Sequence, residues 1–159
     1  MTITAAVLTV SDRCSRGEAQ DKSGPAVAAA LTEAGFEVVE IGLVPDEVEA
    51  IQKELVRFTD ERKVDLVFTT GGTGLSPRDV TPEATAAVLE RETPFFPQAM
   101  LVYSLQITPN AMLSRMKAGI RGRSLILNLP GSPKAATENL AAVIDTLPHA
   151  LKMLHGEGH

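Results

Sequence analysis

Four short apolar runs, each followed by a helical pattern, constrain the fold of this chain more than any other feature. The runs are rich in valine, isoleucine and leucine, and the clearest of them do not alternate with polar residues. Strands of this kind are typically covered on both faces, as in the parallel sheets of α/β proteins. The pattern predicts strands at Ile3–Val10, Phe36–Val44, Val64–Thr70 and Ser124–Leu129.

Helical patterns alternate with these strands. A serine or threonine as N-cap residue, with a proline just inside the helix, is a common helix start, and it predicts helices that begin with Ser23, Thr81 and Ser132 as N-cap residues. A further helix is predicted to begin at Pro45-Asp46 and to bury one stripe, made of Val48, Ile51, Leu55 and Phe58. The alternation predicts an α/β fold with a doubly wound, mostly parallel sheet flanked by helices.

The segment 93–120 interrupts this alternation. It contains a predicted helix at Phe95–Gln106 that is apolar nearly all round, so we expect it to be buried on more than one face, either inside the subunit or in an oligomer. Gly119 and Gly122 predict a short antiparallel hairpin at the edge of the sheet, leading into the last strand. Without a repeat or a linker, residues 1–159 are predicted to form a single domain.

Charge and cysteine usage exclude several function classes. The formal net charge is −5, whereas nucleic-acid and membrane-surface binders usually carry a basic face, so neither partner is expected. No signal peptide and no apolar run of transmembrane length is found in the sequence. The single cysteine, Cys14, fits a reducing cytoplasm and is interpreted as a bystander. The histidines, His149, His155 and His159, are assigned to a solvated C-terminal tail.

The loops that follow the four strands are predicted to lie together. Ligands of open α/β sheets bind at the carboxyl ends of the strands, and all four loops would lie along that edge. One of them belongs to the stretch TTGGTGLSPRDVTPEAT, residues 69–85. Its glycines allow successive backbone N–H groups to face an anion, and Thr73 and Ser76 add hydroxyl groups.

Two carboxylates accompany this glycine-rich loop. Asp79 would repel a phosphate unless a divalent cation lay between them, and Asp46 follows the neighbouring strand, so the pattern favours Mg²⁺ and a nucleotide. Other interpretations stay open at this point. The glycines could form only a tight turn, either aspartate could cap a helix, and Asp79 could pair with Arg78. The loop lacks the ending of a Walker A motif.

Taken together, the motifs resemble the MoaB/Mog domain family. They appear in family order along nearly the whole chain: TVSDR, DKSGPAV, VPDEVEAI, GGTG, RDVTPEAT, RETP, ITPNAMLSR, AGIRG and LNLPGSPKA. The resemblance implies a homotrimer that transfers AMP from Mg-ATP to the phosphate of molybdopterin, releases pyrophosphate and hands its product to a molybdenum insertase. It assigns the essential acidic positions to Asp46 and Asp79, which would hold Mg²⁺ directly or through water.

The resemblance also implies a set of phosphate, pterin and nucleotide contacts. These are Ser11, Asp12, Gly71, Gly72, Thr73, Gly74, Ser76, Ser114, Asn128, Pro130, Gly131 and Ser132. The chain departs from many bacterial relatives at Phe95, Gln98 and Leu101, where a glycine, a glutamate and an arginine are common. Two other interpretations are a competence/damage-inducible-type protein, which would have a differently spaced acidic stretch, and a pterin-binding protein without catalytic activity.

Overall fold

The computed structural model describes residues 2–157 and contains one six-stranded sheet. The strands are β1 (Thr4–Val10), β2 (Glu37–Val44), β3 (Leu66–Thr70), β4 (Arg91–Glu92), β5 (Ala118–Arg121) and β6 (Ser124–Leu129). Their order is β2-β1-β3-β6-β5-β4. The first four are mutually parallel, while β5 pairs antiparallel with β6 and β4 antiparallel with β5. The predicted sheet and its antiparallel edge are therefore confirmed.

Within residues 2–157, seven α-helices connect and cover the strands. They are α1 (Asp12–Ser15), α2 (Ser23–Glu33), α3 (Val48–Val56), α4 (Thr81–Val88), α5 (Phe95–Leu105), α6 (Pro133–Val143) and α7 (Leu147–Leu154). A π-helical turn at Arg57–Glu61 extends α3, and two 3-10 turns lie at Pro109–Leu113 and Ile144–Thr146. None of the helices in residues 2–157 is both long and apolar enough to cross a membrane.

Alternate residues of the central strands face two separate cores. Ala5 and Val7 of β1 pack with helices α2, α6 and α7, whereas Ala6 and Leu8 pack with α3 and α4. All four side chains are fully buried. Continuous apolar runs in the central strands are explained by this arrangement, because neither face of the sheet meets solvent there.

The prediction that the second strand is buried was wrong. β2 lies at one edge of the sheet, and only Val44 among its eight residues is buried. Ile41 and Leu43 are 44% and 43% exposed. A run of apolar residues indicates a strand, but it does not reveal which strand lacks a neighbour.

The helix starts were only partly predicted. Ser132 caps α6 as expected, because its hydroxyl accepts a hydrogen bond from the amide of Ala135 at 3.1 Å. Helices α2 and α4 instead begin at Ser23 and Thr81 themselves, after Lys22 and Val80. α3 begins at Val48, two residues after the predicted start. Ile51, Leu55 and Phe58 form its buried stripe, whereas Val48 is 38% exposed.

His149 and His155 do not lie in the solvated C-terminal tail to which they were assigned. His149 is an exposed residue within α7, and His155 follows the end of that helix. The His155 side chain is only 9% exposed, with Nε2 at 3.0 Å from the carbonyl oxygen of Arg123 and 3.8 Å from Asp65 Oδ1. His155 therefore packs against the residues that directly precede β3 and β6. His159 lies outside the described residues.

Candidate functional site

A polar cavity of about 360 Å³ lies at the carboxyl edge of the parallel strands. It lies at the ends of β1 and β3 and is bordered by the loops that follow β2 and β6. Six of the predicted site residues line it, namely Ser11, Asp46, Gly71, Gly72, Asp79 and Gly131. The structure thus brings four loops, distant in sequence, to one place, as expected for an open α/β sheet.

The glycine-rich loop turns sharply directly after β3. Gly71 and Gly72 have φ angles of 104° and 69°, a region that favours glycine. The amide of Gly71 donates to the carbonyl of Leu129 at 3.1 Å and is therefore occupied. The amides of Gly72, Thr73 and Gly74 donate to no protein acceptor within residues 2–157. Of these three residues, Gly72 lines the cavity.

Asp46 is joined to Asp12 by two reciprocal hydrogen bonds. The amide of Asp12 donates to Asp46 Oδ2, and the amide of Asp46 donates to Asp12 Oδ1, both at 2.9 Å. This exchange is possible because β1 and β2 are neighbours, so the loops that follow them run side by side. Asp46 does not cap α3, whose N-cap residue is Glu47. Its carboxylate is instead held at the cavity wall.

Asp79 and Arg78 have different partners. Asp79 Oδ2 accepts a hydrogen bond from the amide of Ser76 at 3.1 Å, which folds the loop that precedes α4. Arg78 does not pair with Asp79. Its guanidinium donates twice to Asp12, with Nε to Oδ2 and Nη2 to Oδ1 both at 3.0 Å. Asp79 therefore lines the cavity without a cationic partner among the described residues.

The electrostatics of these carboxylates differ. The side-chain hydrogen bond from Arg78 lowers the pKa of Asp12 below its usual value. Burial raises the pKa of Asp46, and the neighbouring charges of Asp12 and Asp79 add to that effect. Lys22 also lines the cavity and supplies a positive charge there. A raised carboxylate pKa beside other carboxylates indicates a site that has more negative than positive charge, and a bound cation would balance that excess.

The donor set fits a magnesium ion shared with a phosphate ligand. Among residues 2–157, no three His, Cys, Asp or Glu side chains lie close enough to form a protein-only metal site. Mg²⁺ is commonly held by one or two carboxylates together with substrate phosphates and water. Asp46 and Asp79 meet this requirement, and the free amides beside them provide a place for the phosphate.

A second polar group lies behind the glycine-rich loop. Ser114 Oγ and Thr73 Oγ1 are 3.2 Å apart, and the amide of Arg115 donates to the carbonyl of Thr73 at 2.8 Å. The Arg115 guanidinium also donates to the carbonyls of Gly74 and Asp79, at 2.8 and 2.7 Å. Sequence reasoning singled out Ser114 but missed Arg115, which fixes both ends of the loop that carries Asp79.

Asn128 has a structural environment. It is fully buried in β6, and its amide group donates to the hydroxyls of Thr69 and Thr85 at 2.9 and 3.0 Å. Its carbonyl oxygen accepts a hydrogen bond from the amide of Lys117 at 3.0 Å. These contacts connect β6 with β3 and α4. Like Asn128, seven other predicted contacts do not line the cavity.

These seven residues are Asp12, Thr73, Gly74, Ser76, Ser114, Pro130 and Ser132.

Several lining residues were missed by sequence reasoning. Asp21 Oδ2 accepts from the hydroxyl of Thr9 at 2.8 Å and Oδ1 from the amide of Gly24 at 3.0 Å, which fixes the start of α2 at the cavity. Cys14, interpreted as a bystander, also lies in the wall. The motif DKSGP was the available signal, but it was interpreted as a helix start and a family motif and not as part of the site. The missed residues are Thr9, Val10, Cys14, Gln20, Asp21, Lys22, Ser23, Thr70 and Pro133.

Comparison with known proteins gives consistent results. Residues 6–149 match the family described as a probable molybdopterin binding domain. The chain is 45% identical over 157 residues to molybdopterin adenylyltransferase of Helicobacter pylori, covering 98% of this chain and 89% of that protein. It is 46% identical to gephyrin of Dictyostelium discoideum, but spans only 22% of that longer protein. Its fold matches the molybdopterin biosynthesis enzyme MoaB of Thermus thermophilus with a TM-score of 0.92, at 50% identity and 98% coverage of both chains.

Proposed function

Since the chain belongs to the molybdopterin-binding domain family, we propose that it is a molybdopterin adenylyltransferase. It would transfer AMP from Mg-ATP to the molybdopterin phosphate, with release of pyrophosphate, in molybdenum cofactor biosynthesis. One observation carries this proposal. The chain is 45% identical, over 98% of its length, to an enzyme of that name, and it has a cavity lined by Asp46 and Asp79 beside a loop whose amides have no protein acceptor among residues 2–157.

The reaction makes one phosphorus–oxygen bond and breaks another. An oxygen of the pterin phosphate attacks the α-phosphorus of ATP, and the bond from that phosphorus to the β-phosphate oxygen breaks. Mg²⁺, when bound, would neutralise the charge that develops on the phosphates. The chain itself contributes alignment, because such transfers depend mainly on positioning and electrostatics.

Each part of the cavity has a role in this proposal. The amides of Gly72, Thr73 and Gly74 would bind phosphate oxygens, and Lys22 would attract the incoming triphosphate. Asp46 and Asp79 would hold the metal ion directly or through water. The pterin would bind on the side of Ser114 and Thr73, because these two hydroxyls lie together and carry no charge.

The test is a reconstitution with molybdopterin, Mg²⁺ and ATP labelled at the α-phosphate. We expect a labelled AMP-pterin product and one pyrophosphate per turnover. The Asp79→Asn variant, purified in the same way, controls for a contaminating transferase. If the wild-type protein binds molybdopterin but forms no adenylylated product, the alternative of a catalytically silent pterin-binding protein or scaffold replaces this proposal.

A homotrimer is the second part of the proposal. Helix α5 buries only Met100 and Ser104 within the subunit, although nearly all of its residues are apolar. Phe95 is 75% exposed and Val102 is 55% exposed, and the apolar surface continues into Pro109–Leu113 through Met112, which is 64% exposed. Contiguous apolar surface of this kind marks an interaction site.

A closed ring of three needs two different patches on each subunit. The surface of α5 supplies one, and the edge strand β2, with Ile41 and Leu43 exposed, supplies a candidate for the other. Light scattering should give the mass of a trimer, and Val102→Glu should dissociate it. A stable wild-type monomer at micromolar concentration would contradict this part.

Hand-over of the product to an insertase and a cytoplasmic location complete the proposal, since ATP and a free cysteine both suit that compartment.

A further inference from the structure

Thr81 carries a buried hydroxyl that has no hydrogen-bond partner among residues 2–157. The residue is fully buried as the first residue of α4, and its amide donates to the carbonyl of Gly72 at 3.1 Å. Its hydroxyl does not cap the helix, because the N-cap position belongs to Val80. A buried polar group without a partner is uncommon in folded proteins and requires an explanation.

The hydroxyl lies beside the cavity carboxylate. A methyl group placed on Gly72 would overlap Thr81 Oγ1 and would approach Asp46 Oδ1 to 2.9 Å. The two oxygens therefore flank the same gap, which exists because residue 72 is a glycine. They form no direct hydrogen bond in this structure, but no side chain stands between them, because residue 72 has none. Asp46 Oδ1 is available for this contact, since the amide of Asp12 occupies the other oxygen.

Thr85 provides a contrast within the same helix. It is also fully buried and also a threonine, but its hydroxyl accepts a hydrogen bond from the side-chain amide of Asn128 at 3.0 Å. Valine has nearly the shape of threonine without the hydroxyl, so packing alone would favour valine at position 81. At position 85 the hydroxyl has a structural use, whereas at position 81 the structure alone gives it none.

We propose that Thr81 is a positioning residue that acts through Asp46. In the ligand-bound state its hydroxyl donates a hydrogen bond across the gap at Gly72 to Asp46 Oδ1 and holds the carboxylate in the orientation that the transfer reaction needs. The inference rests on the proposed function, because it assigns Asp46 to that reaction. It explains both the unpartnered hydroxyl and the gap left by the glycine.

The test compares Thr81→Val with Thr81→Ser in the full chain. Thr81→Val is expected to lower kcat for AMP transfer by about 10- to 100-fold, the size of losing one hydrogen bond to a charged group. KM for molybdopterin should not change, and the melting temperature should stay level or rise, since no protein hydrogen bond is lost. Thr81→Ser restores a hydroxyl and should recover most of kcat.

Thr85→Val is the matched control, because it removes a hydroxyl from the same helix at the same burial. It strands the Asn128 amide, so it should lower the melting temperature and leave kcat per folded molecule unchanged. If Thr81→Val behaves in the same way as Thr85→Val, the Thr81 hydroxyl is a structural group and the inference is wrong.

A binding measurement separates this inference from the proposed function. Mg-ATP alone should raise the melting temperature of the wild-type protein, and should raise that of Thr81→Val less. If Mg-ATP raises the melting temperature of the wild type more than that of Thr81→Val but the wild type forms no AMP-pterin, the proposed function fails, and Thr81 positions Asp46 for Mg-ATP binding alone. If both proteins respond equally to Mg-ATP and turn over equally, the positioning role is overturned. A wild-type protein that neither responds to Mg-ATP nor forms product contradicts both.

Discussion

Two charged groups of this molecule are built in opposite ways. The first, which we call the paired cluster, consists of Glu40, Glu54, Arg57 and Arg62 beside the π-helical turn. The second, the edge cluster, consists of Asp12, Asp46, Asp79 and Arg78 at the carboxyl edge of the sheet. The paired cluster has one cation for each carboxylate, whereas the edge cluster has three carboxylates and one guanidinium.

The difference is visible in the pKa values and in the contacts. Arg57 donates to both Glu40 and Glu54, with Nε at 2.7 Å from Glu54 Oε2, and its side-chain hydrogen bond lowers the pKa of Glu40. Burial raises the pKa of Asp46, and no cation contacts it directly among the described residues. Complete pairing stabilises the fold of the free protein. Incomplete pairing leaves the negative charges of Asp46 and Asp79 without a cationic partner among the described residues, and a bound cation would compensate them.

The largest expected effect is that of Asp79→Asn on turnover. The change keeps the shape of the side chain but removes its charge. It should raise the activation free energy of AMP transfer, calculated from kcat/KM, by roughly 2–4 kcal/mol, the loss seen when one strong electrostatic contact is removed. Asp46→Asn should act similarly. The double variant should lose much less than the sum, because both carboxylates would serve one ion. Steady-state kinetics of product formation measure all three.

Asp145→Asn is a suitable control for this set, since Asp145 is exposed and does not line the cavity. All variants should remain folded and bind molybdopterin, because the pterin would be held mainly by neutral groups. Near-normal turnover of Asp79→Asn at saturating Mg-ATP would remove the assigned role of the edge cluster. Strictly additive losses would instead indicate two carboxylates with independent tasks.

The paired cluster should respond in stability and not in turnover. Arg57→Ala leaves Glu54 without a cation, whereas Glu40 keeps its pair with Arg62. The variant also loses the stacking of the guanidinium on the Phe58 ring, 4.7 Å from its centroid, so we expect a loss of about 1–2 kcal/mol of unfolding free energy. Arg62→Ala breaks one partly exposed ion pair and should lower the unfolding free energy by only about a few tenths of a kcal/mol. Urea denaturation measures both. If the two variants prove equally stable, the pairing in this cluster is not what holds the turn.

The sequence predicted the element order well because the signals for it are local. Apolar runs and helix starts depend on residues a few positions apart, and these predicted the alternation of strands and helices that is typical of a doubly wound sheet. The edge position of β2 and the exposure of α5 depend on which neighbours are missing, and no local pattern reports a missing neighbour. The same limit applies to Thr81, which has a capping residue type but lies one residue too late to cap.

The candidate site was predicted in outline for a related reason. The glycines and aspartates form recognisable motifs, whereas the reciprocal bonds between Asp12 and Asp46 arise only when residues 34 positions apart meet. Lys22 and Asp21 were missed because a helix start and a cavity wall look alike in sequence. Arg115 was missed because it reaches the loop through backbone carbonyls, which carry no sequence signal, and because its carboxylate partner, Glu83, lies 32 positions away.

Asp46→Asn should raise the stability of the ligand-free protein while it abolishes most turnover. Removing a charge that is disfavoured by burial and by two neighbouring carboxylates should increase the unfolding free energy by at most about 1 kcal/mol, because the group is still partly solvated. Calorimetry without ligand should detect the rise, and saturating Mg-ATP should cancel it by stabilising only the wild type. A variant less stable than the wild type would mean that the Asp46 charge already has a favourable partner.

The smallest expected effect is on the stability of the protein at acidic pH. Because Arg57 lowers the pKa of Glu40 below 4.5, the unfolded chain takes up a proton on this residue at higher pH than the folded protein does. The stabilisation is therefore complete above pH 4.5 and is lost as pH falls through the pKa of the folded state. Glu40→Gln should flatten the melting temperature profile in that range, by the equivalent of less than about 1 kcal/mol, whereas Glu61→Gln, an exposed neighbour, should leave it unchanged. An unaltered acid profile in Glu40→Gln would mean that the ion pairs of the paired cluster are too well solvated to matter, and that they contribute no more to stability than the unpaired charges of the edge cluster.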